Sequence, residues 1–235
     1  MSELEALYQV QVLDTQAFEL RGREENHPLR RELEELAEEE GANAVELERV
    51  ETSLEESRKK QGRMEEEVQR LEEKLSREEG KLYGGKVTSP KELRGLQAEV
   101  SSIKRQKDTL ETELLEEMER QDEIRLQSED LKSHGNRIRA EIEDKTRVLE
   151  TETAQMRAEL AELERKRDEL CSRIGEELLE LYGELLGSRH NLAVVKVIDG
   201  VCQGCRVELP GMEYDRFLKS DAVFRCANCG RIMVK

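Results

Sequence analysis

Apolar residues along most of this chain recur in steps of four and three, and the pattern predicts long helices. In the first segment Ala6, Val10, Leu13, Ala17 and Leu20 share one helical face, widened by Leu4 and Leu7. Asn26-His27-Pro28 then interrupts, because proline removes a backbone donor and disfavours helix in the residue before it. His27 is expected at the surface or as a cap of the next helix. From Leu29 to Leu82 the sixteen positions 29, 33, 36, 40, 43, 47, 50, 54, 57, 61, 64, 68, 71, 75, 78 and 82 form a heptad seam, with Leu, Val or Met at eleven. The paired glycines of Tyr83-Gly84-Gly85-Lys86-Val87-Thr88-Ser89 end that helix. Ser89 and Glu92 make a capping-box pattern with Pro90 in the first turn, so a second helix starts at 89–90 and turns back antiparallel.

That second helix is expected to run unbroken to about Leu186, on a seam from Leu93, Leu96, Val100 and Ile103 through Met156 and Ile174 to Leu185. Polar Gln121 and Ser128 thin the seam, and His134-Gly135 reads as its soft point. With a turn near residue 86, residue i should face roughly residue 172 − i.

After Gly187-Ser188-Arg189-His190-Asn191, a helix stop and linker, the pattern changes. Val194–Ile198 is a β-like run, Asp199-Gly200 a turn, and Met212, Phe217 and Leu218 mark a short amphipathic piece. Within this stretch lie Cys202-x-x-Cys205 and Cys226-x-x-Cys229. Two such turns supply the four thiolates that a tetrahedral zinc needs, with paired disulfides as the alternative use of four cysteines. Gly204 and Gly230 suit turns with positive φ. The fifth cysteine, Cys171, sits in a helical stretch as a small apolar filler. The fold class is therefore mostly α: a long antiparallel coiled-coil hairpin over 1–187, broken near 26–28 with its tip at 83–89, and a small C-terminal β zinc ribbon over 192–235.

Composition agrees. The chain is 40% charged and 3% aromatic, too polar to fill one large core. It carries no apolar run near the roughly 20 residues of a membrane span. Its opening Met-Ser-Glu-Leu-Glu is unlike a signal peptide, and metal-type cysteines fit a reducing cytoplasm. The net charge of −16 is uneven: seven bases against five acids (Asp221 among them) from Leu192 onward leave the tail at +2 and the rest at −18. A zinc held by four thiolates adds −2 to the tail. The acidic arm should repel nucleic acid.

The heptad hairpin, the tip Leu82–Leu93 and the ending Phe224-Arg225-Cys226-Ala227-Asn228-Cys229-Gly230-Arg231-Ile232 together resemble the bacterial C4-type zinc-ribbon, coiled-coil proteins. These are often described as nucleic-acid-binding proteins of unknown function. The resemblance spans essentially the whole chain. It implies an elongated antiparallel hairpin with the ribbon away from the tip, and it carries the metal role onto Cys202, Cys205, Cys226 and Cys229. It also implies non-enzymatic roles: members in flagellated bacteria are associated with an alternative sigma factor and flagellar mRNA, and a relative in an intracellular pathogen with secretion components.

Two functional expectations follow. An adaptor or chaperone-like scaffold would use the acidic coiled coil against protein partners. A direct RNA or DNA binder would use Arg189, Lys196, Arg206, Arg225, Arg231 and Lys235, with Tyr214, Phe217 and Phe224 as the stacking candidates. Those arginines equally serve to offset the zinc-thiolate charge. The zinc is structural, since four cysteines close its shell, and no catalytic constellation stands out. Polar sections of the seam leave room for two hairpins to pair as a homodimer.

Overall fold

A computed structural model describes residues 2–85, 87–220 and 222–235; Lys86 of the expected tip and Asp221 of the charge tally lie outside the described residues. The helices are α1 (Glu3–Glu25), α2 (Pro28–Tyr83), α3 (Pro90–Cys171), α4 (Glu176–Ser188) and α5 (Gly211–Lys219). The strands are β1 (Val194–Ile198), β2 (Val201–Cys202), β3 (Phe224–Arg225) and β4 (Ile232–Val234). No described helix is long and apolar enough to cross a membrane. The chain divides into two compact units, one of residues 33–144 and one of residues 1–32 with 145–235. α1 and α4 share a core with the ribbon.

The 33–144 unit is the heptad hairpin. Its expected seam positions from Leu33 to Leu82 and from Leu93 to Ile142 are all buried or half-buried. The helices run antiparallel: Asn43 Nδ2 donates to the Leu131 carbonyl (3.1 Å), Ser57 Oγ to Glu117 (2.7 Å), and Lys74 pairs with Glu99 (3.3 Å). These partners lie within about two residues of 172 − i. Exposed pairs such as Lys132–Glu51 (2.7 Å) and Lys104–Glu79 (2.7 Å) flank the seam and add at most about 1 kcal/mol each.

Gly135 is not the soft point expected. α3 passes through it uninterrupted, and a Cβ there would lie 2.8 Å from Asn43 Nδ2. The glycine makes room for a polar seam residue of the facing helix. His134 pairs outward with Glu39 (3.1 Å).

In the other unit α3 does not run through to Leu186. It ends at Cys171; the N–H groups of Arg173 and Ile174 donate back three residues, tightening the last turn, and Gly175 caps α4 in an extended conformation (φ −64, ψ 145). The break at 26–27 occurs as expected. Asn26 closes α1 through bonds to the Gly22 carbonyl (2.9 and 3.0 Å). His27 is buried, contrary to the surface alternative, and it does cap: its Nδ1 accepts from the Leu29 N–H (3.3 Å) while Nε2 meets Glu152 (2.7 Å). Flanking ion pairs fall further along than 172 − i in both units: Asp14 with Arg167 (2.7 Å) here, and Glu51 with Lys132 and Glu79 with Lys104 in the hairpin.

The ribbon sheet has order β2-β1-β4-β3, with β1 and β4 parallel and the outer pairs antiparallel. Alternation along its strands splits two cores. Val194, Ile232 and Val234 pack with Ala6, Leu7 and Val10 of α1 and Leu178, Tyr182 and Leu185 of α4. Val195, Val197 and Met233 face the knuckle side with Phe217, Leu209 and the cysteines.

One buried polar residue of α1 joins helix to sheet. Gln11 is 2% exposed. Its Oε1 accepts from the N–H groups of Ala193 (2.6 Å) and Val194 (3.1 Å), and its Nε2 donates to Asn191 O (2.9 Å). Nearby, Tyr182 donates to Asp14 (2.7 Å), and burial together with that carboxylate pushes the phenol far above its ordinary range.

Two outcomes check this packing. Gln11→Ala leaves two buried N–H groups unpaired and should destabilise this unit by about 2–4 kcal/mol in urea unfolding followed by tyrosine fluorescence. A loss under about 0.5 kcal/mol would mean that those groups find other partners. In the hairpin, Glu117 is 5% exposed, and the Lys60 ammonium and Ser57 hydroxyl hold its carboxyl below the ordinary range. A depressed folded pKa gives stability that is present above the ordinary value and lost as pH falls through the folded one. NMR titration should therefore place the Glu117 midpoint below about 4.3; a midpoint above it contradicts the pairing.

Candidate metal centre

The two Cys-x-x-Cys turns are built alike. In the first, the Arg206 N–H donates to the Cys202 carbonyl (2.8 Å) and the Cys202 N–H to the Val207 carbonyl (3.0 Å). In the second, the Gly230 N–H donates to Cys226 O (2.8 Å) and the Cys226 N–H to Arg231 O (2.9 Å). The residue after the second cysteine takes a left-handed conformation in both, Arg206 at φ 60 and Gly230 at φ 72. Glycine was expected to serve that purpose at 204 and 230, and only Gly230 does. Gly204 is required for a different reason: a Cβ there would lie 2.8 Å from Val195 Cγ1 and 2.9 Å from Arg231 Cδ.

The turns bring Cys202, Cys205, Cys226 and Cys229 together, their four sulfurs all within 4.8 Å of one another. Cys202 and Cys229 Sγ are 3.9 Å apart, and Cys205 and Cys226 Sγ 3.7 Å. A tetrahedron with Zn–S bonds of about 2.3 Å has edges of about 3.8 Å, so the donor set fits zinc. Disulfide bonding would need about 2.05 Å, and the five cysteines are free thiols. As thiols, Cys202 is pushed up to about 12 and Cys226 upward by burial, whereas the Asn228 side chain pulls Cys205 down to about 6. Zinc binding must strip protons from the buried pair, so acid should weaken it.

The candidate basic residues do not form one surface. Arg231 is half-buried and tied down, its Nε donating to Leu192 O (2.7 Å) and a terminal nitrogen to Arg189 O (3.4 Å). Lys196 on β1 lies over the Tyr8 ring of α1, 4.9 Å from its centroid. Lys235 is exposed and borders, with Lys196, a cavity of about 410 Å³ between α1, the sheet and the end of α5. Arg189 and Arg225 do converge: a Cβ on Gly230 would lie 3.5 and 3.4 Å from their guanidinium nitrogens. Arg206 is exposed on the first turn. The stacking candidates are engaged. Phe217 is buried edge-on to Phe224 (5.8 Å, 89°), and Tyr214 is half-buried beside Gly200.

Sequence reasoning missed Asn228 and Gln11. Asn228 is a spacer position inside the second turn. Gln11 lies one helical turn after Leu7, on the apolar face, and that placement was the available signal.

A long heptad hairpin joined to a four-cysteine ribbon defines a class, and the chain belongs to it. Residues 10–190 match the profile of the CT398-like coiled coil hairpin domain, and residues 201–233 that of a C4-type zinc ribbon domain. Two uncharacterized Mycobacterium tuberculosis proteins, MT2288 and Rv2229c, are each 27% identical over 186 residues, 74% of this chain and 71% of theirs. Among solved structures, a Mycobacterium smegmatis protein aligns over 100% of this chain and 97% of its own, at 22% identity and a TM-score of 0.81. CT398 from Chlamydia trachomatis aligns over 98% and 96%, at 20% identity and a TM-score of 0.69. Likeness at these identities extends to the fold.

Cys226→Ser should lower bound zinc and unfold the ribbon while leaving most of the far-UV helix signal, that of α2 and α3, in place, measured by metal analysis and circular dichroism. Unchanged zinc content would sink the four-thiolate assignment.

Proposed function

We propose that this chain is a non-enzymatic zinc-ribbon coiled-coil binding protein, an adaptor or chaperone-like scaffold that meets protein partners through its acidic hairpin. The observation that carries the reading is charge: outside the ribbon the chain holds −18, and its short basic runs, such as 58–60 and 104–107, are outweighed by the acids around them. Such a surface repels phosphate backbones and attracts basic protein surfaces. Four thiolates fill the zinc shell and leave no open position for chemistry. Thiolate ligation suits a reducing compartment, hence a cytoplasmic location.

A second reading is direct RNA or DNA binding at the ribbon. It is favoured by the convergence of Arg189 and Arg225 beside Gly230, where two planar forks could hold one phosphate. Against it stand the engagement of Arg231 and Lys196 and the packing of Phe217 on Phe224.

Zinc-loaded protein used as bait in cytoplasmic extract, with and without nuclease, separates the two. The adaptor reading expects a protein partner that survives nuclease. Capture that vanishes with nuclease, and with Arg189→Glu/Arg225→Glu, would install the nucleic-acid reading instead.

A further inference from the structure

Along the middle of α3 polar residues enter the seam while some apolar ones face outward. The positions facing α2 include Glu117, 5% exposed, Ser128, 3% exposed, and Gln121, whose Nε2 is buried without a hydrogen-bond partner. The opposite side carries Leu115 (62% exposed), Met118 (43%) and Leu126 (58%). At about 100° per residue, Leu115, Asp122 and Leu126 lie in one line along the helix with Met118 at its margin. The line points roughly opposite to Glu117, Ile124 and Ser128, which face α2. A hairpin serving only its own stability would place leucine inside and glutamine and serine outside. The outward leucines therefore add nothing to the hairpin seam.

The charge around them says what kind of contact they suit. Residues 108–130 contain ten acids and two bases, Arg120 and Arg125. Arg120 projects to the far side, and Arg125 flanks the line and pairs with Asp122 (3.1 Å). Asp108, Glu119, Glu129 and Asp130 border the apolar line, and all four are exposed. A second copy of this face would set acid against acid in either orientation. A basic helix would not.

We propose that Leu115, Met118 and Leu126 form the docking face for an amphipathic, Lys/Arg-rich helix of a protein partner. The line from Leu115 to Leu126 spans about 17 Å, so the partner presents about three turns of apolar residues at steps of three and four, with bases on both margins. The inference rests on the adaptor reading and gives it a place and a ligand class. Burial of the leucines supplies affinity, and the acid border supplies orientation and partner choice.

The test uses the full zinc-loaded chain and a synthetic amphipathic peptide of about 18 residues, with Leu at heptad a and d positions and Lys on the flanks. Its partner is a scrambled peptide of the same composition. Fluorescence anisotropy should give at least about tenfold tighter binding for the amphipathic peptide, weakening as salt is raised. Leu115→Gln/Leu126→Gln should remove that advantage, whereas Val45→Gln, an exposed apolar residue on α2, should keep it. Thermal melting of the double variant should match or exceed that of the parent, since both side chains face outward. Equal binding by the two peptides, undiminished binding by the double variant, or a sharp fall in its melting temperature would overturn the proposal. So would a parent dimer that the double variant turns into a monomer in sedimentation, since the face would then serve a second copy. Failure of the adaptor reading reads out separately, as nuclease-sensitive capture with peptide discrimination intact.

Discussion

Four thiolates held within 4.8 Å of one another are the constraint on which the C-terminal part of this protein depends. Its strands are two to five residues long, and such pieces bury too little apolar surface to order themselves. Zinc closes two turns that share one hydrogen-bond plan, and this sets the β3–β4 pairing against the β1–β2 pairing. At Gly204 the first turn is pressed against Val195 of β1 and against Arg231, which follows the second turn.

The ribbon is not a separate bead on a helical stalk. One face of its sheet is covered by α1 and α4, and Gln11 satisfies the N–H groups of Ala193 and Val194 where β1 begins. Asp14 serves Arg167 and Tyr182 one turn further on. The residues around α1 and those around the metal thus form one folded unit, and zinc should be felt in α1. The 33–144 hairpin has its own seam and its own polar contacts, among them Ser57–Glu117 and Asn43–Leu131.

Much of this was legible in the sequence because its signals are periodic or stoichiometric. The four-three pattern located the seam on both helices, and two Cys-x-x-Cys pairs located the metal. The break at 172–175 was hidden because Leu170, Ile174 and Leu178 continue the four-residue step through it, and one glycine costs only about 1 kcal/mol. Gly135 was misread as a weakness because its purpose lies on another helix, at Asn43. Arg231 and Lys196 looked free because their partners, Leu192 O and Tyr8, are fixed only by the tertiary fold. Composition can count charges; it cannot tell an arginine that is a tie from one that is a contact.

The most direct test of the account is hydrogen exchange along the whole chain before and after zinc is removed with a chelator. The account predicts that residues 193–235 lose protection, that α4 and the first half of α1 follow, and that the 33–144 hairpin keeps its protection. Unchanged protection in the ribbon after metal removal, or a uniform loss reaching the hairpin, would contradict it.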